Sequence, residues 1–161
     1  MKYLSVKEYF YKLNTIGFIV LLIPLLTFCF LYFRSLSYLP PFAHDMGLET
    51  DLIGAAVIAL DLTIVHLWWI WKLNILRSRL EIAQKMEGYY ELTVMKMVGY
   101  CIASLLTGLG FFLTGSPTFS YYFIGLQLLL AIQWPRRSSL CSKFSLRSDE
   151  RAMIMENVDF Y

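Results

Sequence analysis

The sequence predicts an all-α, polytopic membrane protein with four transmembrane helices arranged as two antiparallel hairpins, and three observations carry that prediction. Of the 161 residues, 58% are hydrophobic and only 16% charged, whereas a soluble domain has roughly a quarter of its residues charged. The charges fall into a few segments separated by long apolar runs, each able to cross a bilayer core of ~30 Å as about 20 helical residues. The basic residues also recur in alternate segments, as they do when one membrane face collects the cationic loops. A mean hydropathy of +0.56 excludes disorder. The net charge of +2 is too small and too divided to suggest nucleic acid as a partner.

Residues 1–12 place Tyr3, Val6 and Phe10, with Leu13 beyond, on one helical side and Lys2, Lys7 and Lys12 elsewhere, the pattern of an amphipathic interfacial segment. The first span follows at 13–33. It is longer than the apolar stretch of a secretory leader and no small-x-small cleavage site follows it, so it is read as a retained helix. Pro24 near its middle removes one backbone hydrogen bond and predicts a local kink. Pro40, Pro41 and Gly47 with Asp45, Glu49 and Asp51 mark a surface loop, and the second span occupies 52–71. It closes on Trp68, Trp69 and Trp71, the aromatic belt of a helix meeting headgroups.

Beyond Lys72, Leu73, Leu76, Leu80 and Ala83 recur at intervals of three and four, so the helix is expected to leave the membrane as an amphipathic cytoplasmic extension broken at Gly88. The third span is 92–114, stopped by Gly115-Ser116-Pro117, a turn short enough to return the fourth span, 119–134, as an antiparallel neighbour. That fourth run is at the lower limit of crossing length. Residues 135–161 read as a polar cytoplasmic tail, with one short helix begun by Ser148 and carrying Ala152, Ile154, Met155 and Val158 on one face.

Orientation comes from Lys and Arg. Lys2, Lys7 and Lys12 precede the first span, Lys72, Arg77, Arg79 and Lys85 lie between the second and third, and Arg136, Arg137, Lys143, Arg147 and Arg151 follow the fourth. The remaining two loops offer only Arg34. Four spans put every basic segment on one side, which predicts an inner-membrane protein with both termini cytoplasmic.

Ionisable groups inside a bilayer are costly and are therefore the candidate site residues: Asp61, His66 and Lys96. Five residues between Asp61 and His66 rotate them by roughly 140° around the helix, so they form no direct dyad. Asp61 is expected level with Tyr100 to Ala103, where it would serve either as a proton or cation carrier or as one half of an interhelical hydrogen bond or ion pair. The structural role is the preferred reading, because a lone acid defines no pathway. Lys96 snorkels to the headgroups. His66 lacks a second histidine on its side, since His44 lies in the opposite loop, and neither haem nor another cofactor is expected. Cys29, Cys101 and Cys141 have no metal-binding spacing and no metal site is expected. Gly99, Ala103, Thr107 and Gly110 form a stripe of small residues, a helix-packing face that Gly54, Ala55 and Ala59 could meet.

The charged stretch before Glu91, the run into Phe112-Leu113-Thr114-Gly115, the short fourth helix and the abrupt Trp134-Pro135-Arg136 exit lie in that order between Leu80 and Arg136. In this third of the chain the sequence resembles a group of small, uncharacterised four-helix bacterial membrane proteins known mainly from Bacteroidetes. The resemblance implies the same fold. Members often carry an acid in the third helix, but Tyr100 and Cys101 stand in that neighbourhood here, so no proton-carrying role is implied by it.

Nothing in the sequence resembles a Ser/His/Asp triad, a zinc-binding helix or a paired-carboxylate site, and no enzymatic activity is expected. The expectation is a small membrane protein surrounded by lipid that assembles with itself or serves as an accessory subunit of a membrane complex. The alternative is a small oligomeric proton- or cation-coupled transporter or channel that depends on Asp61.

Overall fold

The structure is a computed structural model that describes residues 6–37, 48–77 and 82–144. Among the described residues it is all-helical. In chain order the helices are α1 Val6–Ser37, α2 Leu48–Arg77, α3 Ile82–Thr114, α4 Pro117–Ile132 and α5 Arg137–Phe144. Three of them, over Val6–Ser37, Glu49–Arg77 and Gln84–Thr114, are long and apolar enough to cross a membrane. With 16 residues, α4 is shorter, spanning about 24 Å at 1.5 Å per residue.

Each long helix outruns its expected span. Val6 to Lys12 form the opening turns of α1 itself, and Val6, Tyr9 and Phe10 are buried against protein. At the same end of the bundle, α2 continues through Arg77 and α3 starts at Ile82. Gly88, expected as the break, lies inside α3, where a Cβ would overlap the side chain of Leu76. That close approach of α2 to α3 is why glycine is tolerated in a helix interior.

The side-chain contacts set the direction of every helix. Val65 meets Gly99 and Leu76 meets Gly88, so α2 and α3 are antiparallel. Gly17 touches Met97, and Gly108 touches Phe28 and Leu31, so α1 runs parallel to α3. Phe119 lies against Gly110, and the Gln133 side-chain amide donates to the Tyr100 hydroxyl at 2.8 Å, which makes α4 antiparallel to α3. The hub is therefore α3. Along their lengths α1 and α2 pack on α3 rather than on each other, which departs from an arrangement of two self-contained hairpins. The small-residue stripe contributes to this, since Gly99 and Gly110 let α2 and α4 approach α3 closely. Accordingly 44% of its most apolar window is buried, against 17% for α1 and 11% for α2.

Two apolar cores stack along the bundle axis. One joins Val20, Ile58, Met97, Tyr100, Ala103, Leu126 and Leu130 at mid-length. The other gathers Tyr9, Leu13, Trp69, Leu76, Tyr89, Leu140 and Phe144 where α1 and α3 begin and α2 ends. Near this second core Trp134, just past α4, donates its indole N–H to the Asn14 side-chain oxygen at 3.0 Å. At the opposite end Gly115, with φ 68°, turns α3 into α4 in the left-handed region that favours glycine. The Ser116 side chain then caps α4 with Pro117 at its first turn. Asp51 of α2 accepts from the Ser116 and Thr118 hydroxyls at 3.0 and 2.9 Å, fastening α2 to that turn.

The tail differs from its polar reading. Arg136 accepts backbone hydrogen bonds from Ser139 and Leu140 at 3.0 and 3.2 Å and opens α5, whose Leu140, Cys141 and Phe144 are buried. Cys141 is thus a core residue, because α5 folds back onto the ends of α1, α2 and α3. The helix expected at Ser148 lies outside the described residues.

Candidate functional site

The α2–α3 seam holds all three candidate ionisable residues. Val65 opposite Gly99 and Leu76 opposite Gly88 are eleven residues apart in each helix, so the register is constant between them. Carried four residues the other way, the same register sets Asp61 opposite Ala103, at the expected depth. Asp61 is partly buried, and its Oδ2 is buried without a hydrogen-bond partner among the described residues.

The hydroxyls nearest in level are already engaged within α3. Ser104 donates to the Tyr100 carbonyl at 2.8 Å, and Thr107 to the Ala103 carbonyl at 2.6 Å. The Tyr100 hydroxyl accepts from the side-chain amide of Gln133, just past α4. Serine and threonine in apolar helices satisfy themselves by bonding back one turn, so the Ser104 and Thr107 protons are used within α3.

Lys96 is not brought to Asp61. Its ammonium lies 4.6 Å from the centre of the Trp69 ring, a cation–π contact at the rim of the span. Lys143 of α5 approaches the same ring at 4.7 Å and that of Tyr89 at 5.6 Å. Arg77 donates from Nε to the Lys143 carbonyl at 2.8 Å, holding the end of α5 against α2. Burial lowers the Lys143 pKa from the ordinary lysine value. His66 is exposed at the edge of the α2–α3 seam, beside Tyr100, and lies nearly parallel to Trp69, 6.3 Å between ring centres and 20° between planes.

The small-residue face is consumed inside the chain. Gly99 admits Val65, Ala103 and Thr107 are fully buried, and Gly110 together with Gly54 forms a slot for the Phe119 ring. A Cβ on either glycine would lie 2.5 Å from that ring. This stripe assembles α2, α3 and α4 and is not a free surface.

Two features escaped sequence reading. Lys143 reads as one cation of a polar tail, and the sequence signal that its helix docks is the apolar pair Leu140 and Phe144, four apart, both of which are buried. Gln127 of α4 has both side-chain polar atoms buried and unpartnered among the described residues; a search for charges passes over a neutral amide. Among the described residues no group of three or more His, Cys, Asp or Glu side chains could hold a metal ion.

Among the described residues the chain is an all-helical bundle with three helices long and apolar enough to cross a membrane. No family model matches the chain, and neither a curated protein nor a solved structure does.

Proposed function

We propose that the protein is a four-span integral protein of the bacterial inner membrane, both termini cytoplasmic, that acts without catalysis as an assembling or accessory subunit of a membrane complex. The observation that carries this reading is the second apolar core. α1, α2 and α3 have 32, 30 and 33 residues, about ten more than a bilayer core requires. The surplus of all three gathers with α5 into a packed head at the basic end of the bundle. A membrane anchor alone has no need of such a head, whereas a subunit that docks onto a larger assembly does. The likeness to small four-helix bacterial proteins is proposed on the same footing.

Topology is tested by fusing periplasm-active and cytoplasm-active reporters after Thr50, Lys85, Ser116 and Tyr161. Cytoplasmic activity after Lys85 and Tyr161 and periplasmic activity after Thr50 and Ser116 are expected; cytoplasmic activity after Ser116 would remove the fourth span. The subunit role is tested by placing a photocrosslinker at the exposed Tyr11 of the head, with one discrete heteromeric adduct expected in membranes.

The unpartnered Oδ2 of Asp61 favours a second reading, a proton- or cation-coupled transporter in which this carboxyl changes charge state. An Asp61→Asn protein that inserts normally but loses a measured proton or cation flux would establish it over the first.

A further inference from the structure

We propose that Lys96 and Lys143, converging on the Trp69 indole where α2, α3 and α5 meet, bind the phosphate of an acidic lipid in the cytoplasmic leaflet. Both ammonium groups lie within 5 Å of the centre of one ring, and both residues are partly buried. Neither has a carboxylate partner among the described residues. A third cation, Arg77, is tied to the Lys143 carbonyl. Like charges held together and half removed from water repel one another, and an indole face attracts an ammonium without accepting its three N–H donors at hydrogen-bond strength. A group with several anionic oxygens satisfies donors from both lysines and cancels the repulsion.

The position selects a lipid over a soluble anion. Lys96 lies one turn inside the expected third span, and Trp69 belongs to the tryptophan belt that ends the second, so the site is at headgroup depth. Lys143 arrives only because α5 is docked, so the lipid would also hold α5 in place. The leaflet assigned rests on the topology proposed above.

The test uses the full chain reconstituted into vesicles of phosphatidylcholine alone, phosphatidylcholine with phosphatidylglycerol, and phosphatidylcholine with inorganic phosphate in the buffer. Thermal unfolding is followed in each. Phosphatidylglycerol is expected to raise the Tm of the wild type and of Lys72→Gln, a control outside the site, and of a Lys96→Arg/Lys143→Arg protein that keeps both charges. The Lys96→Gln/Lys143→Gln protein is expected to keep its Tm in phosphatidylcholine and to lose the rise. An equal rise in the double glutamine variant would overturn the proposal, as would an equal rise with inorganic phosphate, which would make the site one for a soluble anion. A double glutamine variant that no longer floats with phosphatidylcholine vesicles would also overturn it by making the lysines part of the fold. Both leaflets carry the acidic lipid, so an inverted topology would leave these results unchanged and alter only the leaflet. Failure of the wild type to float would overturn the membrane reading and the site together.

Discussion

Val65 of α2 occupies the space that a Cβ on Gly99 of α3 would need, with a methyl carbon 2.5 Å from that point. Valine is stiff about χ1 in a helix and cannot swing aside. Gly99→Ala is therefore expected to lower folding stability by about 1–3 kcal/mol through overpacking, and Val65→Ala in the same chain to recover much of the loss. A double-mutant cycle in detergent checks it; additive losses would mean that the two residues do not meet.

At the far end of the same seam, Asp51 accepts two hydroxyl hydrogen bonds from the α3–α4 turn. Asp51→Ala is expected to cost about 1.5–3 kcal/mol, the range for hydrogen bonds to a charged group, and to loosen that turn. Asp51→Asn, which keeps an acceptor oxygen, should cost less. Protease susceptibility near Gly115 reports the loosening.

The Tyr9 hydroxyl donates to the Met86 carbonyl at 2.9 Å within the head. Tyr9→Phe keeps the ring and removes the donor, and an expected loss of about 1 kcal/mol should appear as faster amide exchange in the first turns of α1 and α3. Unchanged exchange there would detach the head from the stability of the bundle.

Among the described residues no donor reaches the buried Oδ2 of Asp61, so Asp61→Leu is expected to strand no partner of that oxygen there. Its folding stability should equal or exceed that of the wild type, whether the residue serves a second subunit or an ion. A fall of more than about 1 kcal/mol, the worth of an interhelical hydrogen bond in a bilayer, would reveal an internal partner instead.

Burial lowers the Lys143 pKa in the folded chain from the ordinary 10.5. The unfolded chain then holds more protons between the lowered value and 10.5, so this residue's contribution to stability rises with pH across that window. Lys96, Arg77 and Tyr89 face it and share the change in field. In phosphatidylcholine, Lys143→Gln should match or exceed wild-type stability at neutral pH, with the difference shrinking as pH rises. A widening difference would reverse the sign.

What the sequence determined by itself was local: helix content, the long apolar runs and the turn at Gly115 to Pro117. Hydropathy and turn chemistry act over neighbouring residues, so 13–33, 52–71 and 92–114 each lie within one helix and α4 ends two residues before Trp134. Gly88 misled because glycine signals either a break or a close approach, and only Leu76, distant in the chain, distinguishes the two. Tertiary structure alone decided that α3 is shared by α1, α2 and α4, and that α5 brings Lys143 to the ring already holding Lys96. Inside a bilayer nearly every helix face is apolar, so hydrophobicity does not choose a helix's neighbours or rotation. That choice falls to the shape fit of residues far apart in the chain, such as Phe119 in the slot between Gly54 and Gly110.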